Sequence, residues 1–480
     1  MQISSTVPRL IACLLAFAGG AGAWTAHAQE PAVASAPAPR IYNLIDTFGR
    51  QNMPELIADF GQAPGPRTQN ALAFRQQVRK AVLAHPSLKA GTDRWAEAEG
   101  ARAEVRGALF PQIYAGFGGE STLVERPGVD VPSDMNANLY VRVTQLLFDA
   151  GALFRKVEAA ESRVEAQRLG LQVTAQGLAL RALNAYYDVA RHARRVALAE
   201  ANLQRHQVLL EMIGEAVAGS VSSRSDLLRA QSREADARAT LAAARGELER
   251  AQAVWREYFG EAETPRHLPP LRPTLPASAA QARERLLAGS LELARLEQLA
   301  QAAARDFEAE KASLLPQVSV QLTGRQFQLD QLRDNDNEVV AAVQLSYPLY
   351  TGGSQTARRN QAASRAGAAR SDVDTLRSEL EREVRAALAD VASQTQRLQA
   401  LELAMQAEEA TILAYLEQFS IGRRSLADLL DAQRDLFSAA VGLVDGAAGV
   451  ELAHYAVAAA LGESLAFFDL NEVGVGSASY

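Results

Sequence analysis

Cysteine is all but missing from this chain of 480 residues: the only one, Cys13, lies in an apolar run near the start. A disulfide framework and a thiolate-held metal are therefore excluded from the rest of the chain. Beyond that run no stretch of about eighteen apolar residues is free of charge, so a membrane-spanning helix is excluded too. A surplus of positive charge is also lacking. Lys and Arg number 49 against 56 Asp and Glu, the net charge is −7, and the arginines are interspersed with acids, which excludes a nucleic-acid-binding stripe. His85, His192, His206, His267 and His454 are scattered without metal-ligand spacing, and no Gly-rich phosphate loop is present. The chain reads as neither an enzyme nor a holder of a metal or cofactor, and any energy it uses has to come from a partner.

At the start, Met1 to Ala28 combines Arg9, the apolar run Leu10 to Ala18 and the ending Ala26-His27-Ala28, the layout of a cleaved secretory signal. Leu10-Ile11-Ala12-Cys13 resembles a lipid-attachment box, but almost no apolar stretch precedes it. Residues 29–67 form a Pro- and Ala-rich arm with Pro31, Pro37, Pro39, Pro64 and Pro66; within it Ile41 to Phe60 is open to a short helix or an extended path. An exported chain without disulfides or an apolar helix is either a soluble periplasmic or extracellular protein or a β-barrel of the outer membrane type.

Proline is missing from two very long stretches, and around each the same order of elements recurs. In the first repeat, 68–264, helical patterns over Gln69 to Leu83 and Pro86 to Leu109 stop at Pro111-Gln112, because the residue before a proline is pushed out of the α region. Two candidate strands follow, 111–122 and 137–148. Ile113, Ala115 and Phe117 share one side of the first; Leu139, Val141, Val143 and Leu147 share one face of the second, which Gln145 breaks near its lower end. Phe148-Asp149-Ala150-Gly151 then turns the chain into the long hairpin 152–259, whose first arm is roughly 95 Å of Pro-free helix. Its turn runs from Gly219 to Ser225, with Ser225 as the expected cap of a returning helix opened by Asp226-Leu227-Leu228-Arg229-Ala230-Gln231.

A Pro-rich linker, 265–278, leads to the second repeat, 279–463. A helix from Ala279 to Leu315 is followed by Pro316-Gln317, strands 316–328 and 338–349, the corner Leu349 to Gly353 and the hairpin 354–463. The turn of this hairpin precedes Asp428-Leu429-Leu430-Asp431-Ala432-Gln433, 202 residues after its counterpart, and the two corners lie 202 apart as well. One spacing kept across otherwise different sequence points to internal duplication. Residues 464–480 remain as a C-terminal tail.

Strands of about ten residues cross a hydrocarbon layer when tilted. Four strands cannot close a barrel, and an open edge in lipid costs several kcal/mol per unpaired backbone group. The expected fold class is an α+β membrane protein whose barrel is completed by other copies of the chain. The long helices carry Ala with Arg, Glu and Gln in place of broad Leu stripes, which suits close packing around a hydrated interior. The competing reading, a non-channel periplasmic coiled-coil scaffold with a small soluble sheet, accounts for the helices but not for their junctions with amphipathic strands.

These residues resemble the TolC family of outer membrane factors, which serve type I secretion systems and multidrug efflux pumps. The resemblance covers about 69–463 and is carried by His85-Pro86-Ser87-Leu88, Pro111-Gln112, Leu147 to Gly151, the turn exit 225–231, Pro316-Gln317, Leu349 to Gly353 and Phe419 to Ala432. It implies a homotrimer in which twelve strands close one barrel among outer membrane lipids and the helices continue as a periplasmic tunnel. The segments Glu257 to Glu292 and beyond Leu461 would form an equatorial belt. Implied partners are a periplasmic adaptor (membrane fusion) protein and an inner membrane ABC transporter, or a proton-driven transporter for small-molecule cargo.

Asp428 and Asp431 match the family's acidic positions at the pore constriction, three carboxylates to a ring. Arg424 matches a gate latch, with Ser225 and Asp226 as its acceptors, while Phe419 stands where the family often has Tyr and so lacks a hydroxyl. An Asp just after a turn is also an ordinary helix N-terminal charge, and that reading stands beside the pore reading. Because related efflux factors often carry an N-terminal lipid cysteine, which is not expected here, the chain is expected to be the passive exit duct of type I protein secretion, with multidrug efflux as the alternative.

Overall fold

The computed structural model describes residues 67–120, 136–269, 271–326 and 337–475. The leader, the arm to residue 66 with its Ile41 to Phe60 segment, most of the two loops at the strand tips, Pro270 and residues 476–480 lie outside the described residues. The described chain runs α1 (Arg67–Ala84), α2 (Pro86–Gly107), β1 (Gln112–Glu120), β2 (Asn136–Phe148), α3 (Ala152–Ala218), α4 (Arg224–Phe259), α5 (Ala279–Gly289), α6 (Leu291–Ala312), β3 (Gln317–Gln326), β4 (Asn337–Ser346), α7 (Ser354–Ser420), α8 (Leu426–Ala460) and α9 (Ser464–Phe467). Pro86 opens α2 at a position where no N–H is needed, and the His85 ring accepts from the Ser87 N–H at 3.1 Å.

The four strands form one antiparallel sheet in the order β1-β2-β3-β4. Its register sorts the side chains. Val141 pairs with Ala115 and Gly324, Val143 with Ile113 and Leu322, and Val320 with Val343. Directly paired residues share a face, so one face is apolar across all four strands except at Gln145, which pairs with Val320, while the other carries Tyr114, Tyr140, Arg142, Thr144, Gln321 and Thr323. A bulge between Leu146 and Phe148 leaves Leu147 without a partner and brings Phe148 opposite Val318. The extra residue puts Phe148, in place of Leu147, on the apolar face beside Val318. On the polar face Tyr140 lies across Gly116, where a Cβ would come within 2.5 Å of the ring. This is one place where glycine is required by contact.

All four strands meet helices at the same end of the sheet, since Gln112 pairs with Thr144, Phe148 with Val318 and Gln317 with Ser346. The corners into α3 and α7 use left-handed backbone: Ala150 and Gly151 have φ of 55° and 84°, Gly352 and Gly353 of 64° and 83°. Asp149 secures the first corner by accepting from the N–H groups of Gly151 and Leu153 at 3.0 and 2.6 Å.

The helix expected from Ala279 to Leu315 is two helices. Ser290 leaves the helical region, with ψ 103°, and its hydroxyl caps α6 by accepting from the Leu293 N–H. The break is made by the close passage of the chain after α8: a Cβ on Gly289 would lie 2.4 Å from the Leu461 carbonyl oxygen.

The core is built around α3, which packs against α2, α4, α6 and α8. Phe74, Tyr186, Tyr187, Trp255, Tyr455 and Phe468 interlock at its middle. The Pro-rich linker is stitched to this region: Tyr455 donates to the Leu271 carbonyl at 2.6 Å, and Arg272 Nε donates to buried Glu451 at 2.7 Å. Leu465, Phe468 and Leu470, beyond α8, are buried in the same core. By length and composition α8 would pass for a membrane-crossing helix, but half of its most apolar window is buried in the protein. Its small residues explain the composition, because Gly442 and Gly446 receive Leu401 of α7 at distances a methyl group would crowd.

Candidate functional site: the ends of the two long hairpins

The far ends of the hairpins are built by the same local chemistry twice. α3 closes with a bond from the Val221 N–H to the Ala216 carbonyl at 2.8 Å, and α7 with one from the Arg423 N–H to the Gln418 carbonyl at 2.8 Å. Both are helix stops of the Schellman kind, which need one residue in the left-handed region. Gly422 fills that position with φ 73°, whereas Ser220 fills it in the first turn with φ 58°.

Each returning helix then starts with a capping box. Ser223 and Asp226 bond reciprocally through side chain and backbone at the start of α4, as do Ser425 and Asp428 at the start of α8. Ser225, the expected cap of α4, is instead in its first turn, with its hydroxyl 2.7 Å from that of Ser223. The physical reason is spacing: the box needs an acid three places after the cap, and Asp226 stands three places after Ser223. Both aspartates are held below the usual carboxylate range, first by the hydroxyl of the capping serine and also by backbone N–H donation; Arg424 adds to the effect at Asp428.

The other candidate residues divide into separate groups. Arg424 Nε donates to Gln418 Oε1 at 2.9 Å, its guanidinium lies 4.3 Å from the centre of the Tyr415 ring, and it reaches Asp428 at 3.8 Å. Ser225 and Asp226 are engaged by Ser223 and Ser222. Within one chain, no bond joins Arg424 to Ser225 or Asp226 among the described residues. Phe419 is half-buried against the hydrophobic core. Asp431, one turn beyond Asp428, meets Arg233 of α4 at 3.4 Å and Arg434 at 3.5 Å. Arg233 is a residue the sequence offered no reason to select; it stands 198 positions away and reaches Asp431 only because α4 and α8 approach each other at this level. The acidic positions are thus interleaved with Arg424, Arg233 and Arg434.

Above the turns the hairpins share a polar seam within the core. Gln433 of α8, fully buried, donates to Asn202 Oδ1 of α3 at 3.1 Å. His206 is buried one turn further along α3, and burial holds its imidazole below the ordinary histidine range, with Arg233 pushing the same way. His192 is half-buried and shifted in the same direction, mainly by desolvation. Among the described residues, no group of His, Cys, Asp or Glu is placed to hold a metal ion.

The profile of a protein family described as outer membrane efflux protein matches residues 78–261 and 282–463. The outer membrane efflux protein BepC of Brucella suis biovar 1 is 28% identical over 346 residues, 71% of this chain and 74% of that protein. The alkaline protease secretion protein AprF of Pseudomonas aeruginosa is 27% identical over 391 residues, 77% and 80% of the two chains. Among solved structures, the outer-membrane channel OprN aligns with a TM-score of 0.73 at 22% identity, covering 82% of this chain and 90% of that one. A likeness at that identity carries the fold, and the family match covers most of the chain. The protein belongs to the outer membrane efflux protein, or TolC, family of channel-forming outer membrane factors, which are transport proteins and not enzymes.

Proposed function

We propose that the protein is the exit duct of a tripartite efflux pump, assembled as a homotrimer with twelve strands in one outer membrane barrel and its helices as a periplasmic tunnel. The observation that carries this reading is the sheet. It has one largely apolar face across four strands, and among the described residues its two outer strands, β1 and β4, each have an unpaired edge. In hydrocarbon such edges are tolerable only when neighbouring chains complete the hydrogen bonding. The matching order of elements in the two halves fits an internal duplication that gives each protomer two hairpins. Members of this family generally work with periplasmic adaptors and inner membrane transporters, and a proton-driven transporter is the partner that fits efflux.

The earlier expectation of type I protein secretion becomes the second reading. Efflux is favoured by the family description and by the name of BepC, while AprF, named for protease secretion, supports the other. Loss of the gene separates them: sensitivity to toxic small molecules with normal protein secretion supports efflux, and the reverse supports secretion through an ABC transporter.

In the trimer, Asp428 and Asp431 would ring the closed end of the tunnel, and Arg424 would reach Ser225 and Asp226 of a neighbouring protomer. A solvated latch of this kind contributes about 0.2–1 kcal/mol per pair, weak enough for an adaptor to release. Arg233 would restrain α8 through Asp431. In planar bilayers, Arg424→Ala is expected to raise conductance and Asp428→Asn with Asp431→Asn to lower cation selectivity. Unchanged selectivity would remove both aspartates from the pore, and absence of any conductance from well-folded trimers would remove the channel.

A further inference from the structure

The end of the sheet that meets the helices carries two bands of side chains. The first is large and apolar: Phe110, Phe148, Phe154, Tyr347, Leu349 and Tyr350 are all exposed, Tyr350 to 87%. The second is cationic and begins one turn into the long helices, with Lys156 on α3 and Arg358 and Arg359 on α7. None of these three cations has a carboxylate partner among the described residues, whereas neighbouring Arg155 is paired with Glu158 and Lys311 at the end of α6 with Glu308.

Their placement runs against the usual preference. The N-terminal turn of a helix favours acids and disfavours cations; at α3 that acid is Asp149, which is taken up by the Gly151 and Leu153 N–H groups, while α7 has no acid in its first turn. On α7 the first acid is Asp372, after Arg358, Arg359, Arg365 and Arg370. Exposed cations without a carboxylate partner beside a helix N-terminus favour an anion from outside the chain. Aromatic side chains followed by Lys and Arg are the order that a bilayer interface selects.

We propose that Arg358 and Arg359, with Lys156, bind the phosphodiester headgroups of anionic phospholipids in the membrane leaflet facing the helices. This rests on the channel reading, which puts the sheet in the bilayer and the helices outside it. Distance along α7 sets the limits of the site. At 1.5 Å per residue, Arg358 and Arg359 lie about 6–8 Å from Ser354, within the headgroup layer, while Arg365 and Arg370 lie about 16 and 24 Å away, beyond it. The partner is a lipid surface with net negative charge.

The test uses the full-length protein purified in detergent and transferred to vesicles of phosphatidylcholine alone or with about one quarter phosphatidylglycerol. Retained lipid is counted by native mass spectrometry, and conductance is recorded in the same membranes. Wild-type protein is expected to retain phosphatidylglycerol several-fold over phosphatidylcholine, with the preference declining as salt rises. R358Q/R359Q is expected to lose most of that preference and R365Q/R370Q, with the same change in charge, to keep it; both should conduct. Equal retention of the two lipids by wild-type protein overturns the proposal even if a variant fails to fold, as does an R358Q/R359Q variant that behaves like R365Q/R370Q. Conductance without lipid preference sinks the lipid site alone, whereas failure of every variant to insert or conduct sinks the channel reading and the site with it.

Discussion

α3 and α7 have the same length, 67 residues, and similar turns at both ends, yet α3 buries 25 residues and α7 only 8. The difference comes from neighbours within the chain. α3 is covered by α2, α4, α6 and α8, while α7 packs mainly on α6 and α8 and leaves Leu403 and Leu413 exposed. Equal length and equal stops therefore do not make equal helices. On the trimer reading, the open side of α7 is where another protomer sits, so one helix serves the protomer's own core and the other serves assembly.

The largest effect that sharpens this contrast is in the core. Leu178 of α3 is fully buried and Leu380, 202 positions later on α7, is half-buried. Leu178→Ala is expected to cost about 2–5 kcal/mol and Leu380→Ala less than half as much, read from denaturant unfolding of the purified protein. Equal costs would mean that assembly covers α7 as fully as the chain itself covers α3.

Next come the caps, where the two hairpins should behave alike. Ser223→Ala and Ser425→Ala should each cost about 0.5–2 kcal/mol, seen as faster amide hydrogen exchange in the first turns of α4 and α8, with little effect from Ser225→Ala. A large effect at Ser225 would show that its hydroxyl has a partner in the assembly. The left-handed positions should give smaller changes of opposite sign in the two halves. Ala150→Gly and Ser220→Gly are expected to stabilise by about 0.5–1 kcal/mol, and Gly352→Ala and Gly422→Ala to destabilise by about 1 kcal/mol. Thermal unfolding midpoints of the four variants check the signs.

The smallest effects concern pH. The capping carboxyls of Asp226 and Asp428 titrate below their unfolded values, so their contribution is complete above about pH 4 and is lost as pH falls through the folded pKa. Both turns should fray together under acid, and Asp226→Asn should remove this dependence from the first turn only. His206 adds a difference at milder pH. Its imidazole is held below the ordinary range, so the folded state loses stability as pH drops below about 6.5; its counterpart 202 residues later is Glu408, which gives α7 no matching histidine. His206→Gln should flatten the stability profile of the first hairpin between about pH 5 and 7. Hydrogen exchange near residue 206 that does not respond to pH in wild-type protein would exclude that role.

Much of this was legible because it is local. Alternation in Leu139, Val141 and Val143 identifies a half-buried strand, and an absence of proline over 67 residues permits an uninterrupted helix. The capping boxes were legible too, in Ser223-x-x-Asp226 and Ser425-x-x-Asp428, although Ser225 stood closer to the acid and drew the assignment. The break at Ser290 was less visible, because Gly289-Ser290 is tolerable inside a helix and the chain breaks there only where residues after α8 pass close by. For the candidate site, the sequence pointed to Asp428, Asp431 and Arg424 but not to Gln418, Tyr415 or Arg233, which hold two of them.

By itself the sequence determined the kinds of element, their order and how each long helix stops, since these depend on residues within a few positions of one another. Tertiary structure decided the bulge at Leu147 that sets Phe148 opposite Val318, the Arg233–Asp431 tie and the unequal burial of α3 and α7. Each of those joins side chains far apart in the chain, and only packing brings them together.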